Sequence, residues 1–235
     1  RKKREKMKEY TLITGASSGL GKDFAYEYAK KNQNLILVAR RYALLEAIKD
    51  DLKDYPIEVL IYSVDLSKNE ELNQFLKELP ADLFVSRLIN NAGFGNHSAY
   101  TNQSIELIKD MISVNIEALS LLCYHFIPKM KELKRGEILN ALREELSDYG
   151  IKVSALCPGP THTNFFKVAK NGPSLLFEKF TMHSLPVVKK SMRDLHANKA
   201  ISVPGIRNQF LVLLTKITPR TFASKLVKKI QETRV

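Results

Sequence analysis

Tryptophan is absent from this chain, and cysteine occurs only twice, at Cys123 and Cys157. Two widely separated cysteines with no C-x-x-C exclude a disulfide framework and a zinc ribbon, and read as small buried apolar residues in a reducing compartment. The five histidines, at positions 97, 125, 162, 183 and 196, show no metal-ligand spacing on a shared face, so no metal is expected. Long apolar runs are lacking too. Stretches such as Phe210-Leu211-Val212-Leu213-Leu214 are too short to span a bilayer, and no signal peptide precedes Tyr10. A soluble cytoplasmic protein is the expectation.

Negative charge is scarce at both ends of the chain. Residues 1–10 hold six Lys/Arg against two Glu, and residues 186–235 hold eleven against two acids. With a net charge of +12, the body between them sums to −1. A nucleic-acid binder would carry a basic stripe across its folded body and a reader motif; neither is present, and no nucleic-acid partner is expected. The basic ends read either as solvated tails or as a contact for an acidic membrane surface or partner. The 44% hydrophobic content of the 235 residues supports a full core in one large domain. The expected organisation is a basic N-terminal tail over 1–9, a domain over 10–204, and a basic amphipathic extension over 205–235. That extension could pack on the domain, on a second subunit or on lipid.

What is there is an alternation of strands and helices. Apolar runs at 10–14, 34–39, 57–62, 83–89 and 136–140 are expected strands, with helices over about 20–31, 42–53, 104–131 and 141–149. Ser67 with Glu70 predicts a capping box before a further helix. Residues 151–153 begin a sixth strand, and 200–203 form the last. Strands apolar on both faces, separated by helices, indicate an α/β, doubly wound parallel sheet of the Rossmann type, about seven strands covered on both sides.

Thr14-Gly15-Ala16-Ser17-Ser18-Gly19-Leu20-Gly21 lies between the first strand and its helix. Glycines there let the backbone turn sharply and approach a pyrophosphate, while N–H groups at the helix N-terminus attract its charge. At the end of the second strand, where an NAD site would place an acid for the ribose 2′-hydroxyl, the chain has Arg40-Arg41. A guanidinium suits a 2′-phosphate, so NADP (NADPH) is the expected cofactor.

With Asn90-Asn91-Ala92-Gly93 ending the fourth strand, the chain resembles the short-chain dehydrogenase/reductase family. Thr14-Gly-x-x-x-Gly-x-Gly21, Asp65, Asn90 to Gly93, Asn115 and Pro158-Gly159 carry the resemblance, which covers the chain from about residue 7. It implies that Gly15, Ser17, Ser18, Gly19, Leu20 and Gly21 hold the phosphates, and that Asp65 and Leu66 meet the adenine. Asn91, Ala92 and Gly93 would line the adenosine side, and Pro158, Gly159, Thr161 and Thr163 would cradle the nicotinamide end. It further implies a small-molecule carbonyl or alcohol substrate, a homo-oligomer, and a proton relay in which Asn115 positions a water.

In that family a Ser and a Tyr-x-x-x-Lys follow the fifth strand, the Lys lowering the Tyr pKa from one helical turn away. They are not there. The one Tyr-x-x-x-Lys, Tyr26 to Lys30, sits on the first helix, whose body runs away from the carboxyl edge, and reads as helix filler. No turn residue separates Asn140 from Ala141. A parallel crossover needs a dozen or more residues, and a helix over 141–149 spans only about 13 Å against a strand of about 17 Å. A stretch of roughly 25 to 30 residues is therefore expected to be missing between Asn140 and Ala141, and by resemblance it carries the catalytic Ser, Tyr and Lys. The expectation is a disordered active-site stretch left out of the numbering rather than a deletion, with Asn140 ending the fifth strand and Ala141 partway along the crossover helix. Beyond the Pro-Gly turn, apolar residues over about 164–185 read either as a mobile lid over an apolar substrate or as helix-packing aromatics.

Overall fold

The structure, a computed structural model, describes residues 7–96, 100–140, 143–161 and 181–217. Strands β1 (Lys8–Thr14), β2 (Asn34–Ala39), β3 (Val59–Ser63), β4 (Leu83–Ile89), β5 (Gly136–Leu139), β6 (Ile151–Leu156) and β7 (Ile201–Ser202) pair in the order β3-β2-β1-β4-β5-β6-β7. Every pairing is parallel. Helices α1 (Gly19–Ala29), α2 (Tyr42–Asp51) and α3 (Asn69–Glu78) connect the first four strands. Then come α4 (Ile105–Ile112), a π turn (Ser113–Ala118), α5 (Leu119–Leu133), α6 (Ser184–His196) and α7 (Ile206–Ile217). The Rossmann-type α/β architecture read from the alternation is the one observed.

Successive side chains of a strand point to opposite faces, so a sheet covered twice needs apolar residues at every position. Leu12, Ile36, Val38 and Leu88 pack on one face with Leu72, Phe75, Phe126 and Met130. Their neighbours Ile13, Leu35, Leu37 and Ile89 pack on the other with Phe24, Tyr28, Leu45 and Val188. Each such side chain taken fully out of water contributes about 1.5–3 kcal/mol before entropy is counted. Ile105–Leu133, taken through its π turn, is long and apolar enough by length and composition to cross a membrane, which the short apolar runs did not foretell. Its inner face, with Leu122, Cys123, Phe126 and Met130, is buried in the sheet's core, while Ile105, Ile112, Ile116 and Tyr124 are exposed on the outer side.

Two expectations are corrected. The capping box does not form: Ser67 donates from both its backbone N–H and its hydroxyl to Asp65 Oδ1, at 3.0 and 2.8 Å, and Lys68 occupies the N-cap of α3. A carboxylate two residues upstream is a closer acceptor for that hydroxyl than the helix N–H groups. The helix expected over 141–149 is not an α-helix either. Strand β5 is only four residues long, about 13 Å. The return is a 3₁₀ helix, Glu144–Tyr149, whose rise of about 2 Å per residue carries six residues nearly as far. Gly150 (φ 69°) ends it, Leu146 is buried beneath it, and Arg143 donates to the carbonyls of Val153 and Asn198. Asn140 follows β5 at the carboxyl edge as expected; Ala141 lies outside the described residues.

The amino edge and the last strand are fixed by charge. Glu137 on β5 receives Arg87 of β4 at 2.7 Å and approaches His196 of α6 and Lys152 of β6. Burial raises its carboxyl, but Arg87 and then His196 and Lys152 outweigh that and hold it below the usual range. Asp194 of α6 is buried and accepts from Lys190, from Lys199 at 2.9 Å and from Ser202 of β7 at 2.8 Å.

Burial alone would raise the Asp194 carboxyl, yet hydrogen bonds from Lys190, Lys199 and Ser202 lower it to about 2. An acid depressed in the folded state stabilises the fold above its unfolded pKa, and this contribution is lost as pH falls from about 4 through about 2. Asp194→Asn should remove that acid-side dependence and cost on the order of 2 kcal/mol at pH 7. Denaturant melts of both proteins at pH 7 and pH 3 measure it; a variant as stable as the parent at pH 7 would refute the assignment.

Candidate functional site

The order β3-β2-β1-β4 reverses direction between β1 and β4, and outside the carboxyl ends of those strands an open α/β sheet leaves a crevice. Thr14, the last residue of β1, ties its two sides together. Its hydroxyl donates to the carbonyl of Ile89 (3.4 Å) and accepts from the N–H groups of Asn91 (3.1 Å) and Ala92 (2.9 Å). The Asn91 side chain returns the contact, donating to the Thr14 carbonyl at 3.0 Å.

From Thr14 the chain turns through Gly15 at φ 65°, a left-handed conformation that glycine adopts without penalty. Gly21 does not line the cleft. It lies against the turn from inside, where an added Cβ would stand 2.3 Å from the Gly15 carbonyl oxygen. Its role is to seat α1 against the turn, a correction to its expected place at the phosphates. No side chain caps the N-terminus of α1 and its first turn holds no acid, so its leading N–H groups stay available to an anion.

A cleft of about 750 Å³ opens above this turn. Gly15, Ser17, Ser18, Gly19 and Leu20 line its floor, Arg40 and Arg41 one end, Asp65 and Leu66 the side, and Asn91, Ala92 and Gly93 the middle. Pro158, Gly159 and Thr161 close the far end. The structure thus gathers fifteen sequence-predicted residues from five separate segments into one cavity. Arg41 donates to both Ser17 Oγ (2.9 Å) and Ser18 Oγ (2.8 Å), which places a guanidinium over the glycine-rich turn. The Asp65 carboxyl, which burial would raise, is held below its usual value by the Ser67 N–H and hydroxyl and by the charges of Arg40 and Lys68.

Asn115 stands one layer behind the wall, in the π turn. Its Oδ1 accepts from Phe94 N (3.1 Å) and its Nδ2 donates to Phe94 O (2.8 Å), so both ends of the amide hold the backbone that follows Gly93. A π turn shifts the helix register locally, and here it presents Asn115 to that backbone. Thr161 is buried, donates to the Gly159 carbonyl at 2.8 Å and forms a β-bridge with Met182. Thr163, and the expected lid apart from residues 181–185, lie outside the described residues. Phe94, Val114, Asn140 and Leu156 also line the cleft, and the sequence reading placed none of them at the site. Asn140 carried a signal in hindsight, as the polar residue ending a strand at the carboxyl edge.

Tyr26 and Lys30 are excluded from chemistry by their partners. The Tyr26 hydroxyl donates to Asp51, and burial together with that carboxylate pushes it well above an ordinary phenol, the wrong direction for a base. Lys30 pairs with Glu27 at 2.8 Å.

Sheet order, glycine turn and switch-point cleft define a Rossmann-type dinucleotide fold. Within it, the short chain dehydrogenase model matches residues 9–142, and the chain belongs to that family. The protein of Homo sapiens called inactive hydroxysteroid dehydrogenase-like protein 1 is 33% identical over 133 residues, 55% of this chain and 40% of its own length. The chain thus spans about two fifths of such relatives. The NADP-dependent 3-hydroxy acid dehydrogenase of Schizosaccharomyces pombe is 28% identical over 218 residues, 78% of this chain and 83% of its own. Among solved structures, a short-chain dehydrogenase from Sphingobium yanoikuyae in complex with NADPH has the same fold. It superposes with a TM-score of 0.75 at 24% identity, over 90% of this chain and 97% of that one.

With two arginines at the end of β2, the chain should bind NADPH at least about tenfold more tightly than NADH, about 1.4 kcal/mol. Arg40→Asp should erase or reverse the preference in fluorescence titrations of both cofactors. Superimposable curves for the unmutated chain would refute the reading.

Proposed function

We propose that this protein is an NADP-dependent oxidoreductase of the short-chain type, moving a hydride between the nicotinamide and the carbon of a carbonyl or alcohol substrate, one of apolar character. The observation that carries this reading is the convergence on one cleft of an uncapped α1 N-terminus, the glycine turn and the Arg40-Arg41 pair, in a chain of this family. The α1 N-terminus with Ser17 and Ser18 would hold the phosphates, and Arg40 and Arg41 the 2′-phosphate. Asp65 and Leu66 would meet the adenine, and Pro158 to Thr161 the nicotinamide end. The nicotinamide supplies the hydride when bound; the protein has to supply the proton to the developing alkoxide.

We further propose that the proton-transfer residues lie on a segment of the natural gene product that this sequence lacks between Asn140 and Ala141. Two findings support it. The alignment with the Schizosaccharomyces pombe enzyme covers 218 positions but only 78% of this chain's 235 residues, about 183, so about 35 positions have no counterpart in this chain. And Asn90, which exchanges hydrogen bonds with Asn140 at 3.2 and 3.0 Å, keeps a buried Oδ1 without a partner among the described residues. A buried orphan acceptor costs about 1–3 kcal/mol, and it sits beside the seam. The second reading is a non-catalytic nucleotide-binding regulatory or scaffold protein. It is favoured by the in-register pairing of β5 with β6 in this chain and by a relative named as inactive. The remaining proposals are a cytoplasmic location and a homo-oligomer, for which the exposed Ile112, Ile116 and Tyr124 offer an apolar surface.

Sequencing the transcript across the codons of Asn140 and Ala141 separates the two readings. An interposed in-frame stretch with a Ser and a Tyr-x-x-x-Lys is the expected result, and codons joined directly leave the non-catalytic protein. The 235-residue chain should bind NADPH yet show no turnover with any ketone.

In the product that includes the segment, Asn115→Ala should lower turnover while NADPH affinity stays within about twofold, under 0.5 kcal/mol. Steady-state rates beside a cofactor titration test this. Full turnover would return Asn115 to a purely structural role behind Phe94.

A further inference from the structure

Helix α7 exposes apolar side chains on the side away from the domain. Asn208 marks its inner side: it donates to the Pro204 carbonyl at 2.9 Å, and it lies so close to Gly159 that a Cβ there would stand 2.0 Å from its amide. At 100° per residue, Ile206, Phe210 and Leu213 lie roughly 140 to 160° away on the helix wheel. They face outward, with 85%, 58% and 53% of their surfaces exposed. Leu211 lies on the other side, about 60° from Asn208, and is also 54% exposed. A surface helix of a soluble domain shows solvent its polar stripe; this one shows it apolar residues.

We propose that α7 docks on an anionic lipid bilayer, its outward apolar stripe entering the headgroup boundary. Charge decides for lipid over the other occupants. Residues 186–235 carry eleven Lys/Arg against two acids, and residues 218–235 after the helix carry five against Glu232. An apolar stripe flanked by cations is the pattern that binds acidic membrane surfaces, burial and electrostatic attraction adding together. A second copy fits worse. A two-fold dimer would set the same patch against itself and bring two strongly basic regions together. Docking here would hold the lipid surface next to the end of the cleft lined by Pro158, Gly159 and Thr161, since Asn208 touches Gly159. An apolar substrate would then arrive from the bilayer rather than from water.

Sedimentation of the full chain with vesicles tests this. One set holds phosphatidylcholine with about one third phosphatidylserine, the other phosphatidylcholine alone, each at about 0.1 M and about 0.5 M salt. The bound fraction should be at least about tenfold higher on the anionic vesicles and should fall at high salt. Phe210→Ser with Leu213→Ser should lower it about tenfold with an unchanged thermal melt, because neither side chain belongs to the core. Lys228→Glu with Lys229→Glu should weaken binding to anionic vesicles alone. Equal binding to both vesicle types, or a Phe210/Leu213 variant that sediments like the parent, would overturn the proposal. So would a variant that shifts the chain from dimer to monomer in the ultracentrifuge while neither protein binds vesicles, since α7 would then be a self-association surface.

Discussion

One hydroxyl holds the two halves of this cleft together. Thr14 Oγ serves the carbonyl ending β4 and the two N–H groups that follow it, and Asn91 answers from the other side. These groups sit where the parallel ladder between β1 and β4 has run out and the strands part to opposite faces. The Asn91 N–H and the Ile89 carbonyl also meet each other at 2.9 Å, but without the Thr14 hydroxyl the half-buried Ala92 N–H would lose its acceptor, a cost of at most about 1–3 kcal/mol. The glycine turn springs from one side of this junction and Asn91 to Gly93 from the other, so the floor and the wall of the cleft share one fixed origin.

The positive end of the cleft is preorganised by the same economy of contacts. Arg41 bonds two serine hydroxyls of the turn, which fixes the guanidinium before any ligand arrives. A charge already in place spares the ordering of a long side chain, which otherwise opposes binding by about 0.5–1.5 kcal/mol. At the opposite edge of the sheet Glu137 gathers cations from β4, β6 and α6. The two edges are therefore built on different chemistry, anion-seeking at the carboxyl ends and internally neutralised at the amino ends.

The sheet was legible in the sequence because a strand buried on both faces admits few residue types; runs such as Leu35-Ile36-Leu37-Val38 leave little choice. The cleft was legible because its backbone demands glycine at Gly15, where φ is positive, and at Gly21, where there is no room for a side chain. Asn115 was visible as a position but not as a contact, since the π turn that aims it has no composition of its own. Ser67 misled because a capping hydroxyl and an Asx-turn hydroxyl are the same atom choosing between acceptors. The crossover misled because an α-helical rise was assumed where the chain takes the longer 3₁₀ rise. Phe94 and Leu156 reach the cleft only through tertiary placement, and nothing local marks them.

That short crossover makes scaffold and chemistry separable modules. Strands β5 and β6 pair in register with Leu146 in the core, so the sheet does not wait for a catalytic insert in order to form. Lengthening such a connection is thermodynamically mild, about 0.6 kcal/mol for each doubling. The position after Asn140 is thus a natural graft point, where foreign loops could be exchanged to reprogram reactivity over an unchanged nucleotide cradle.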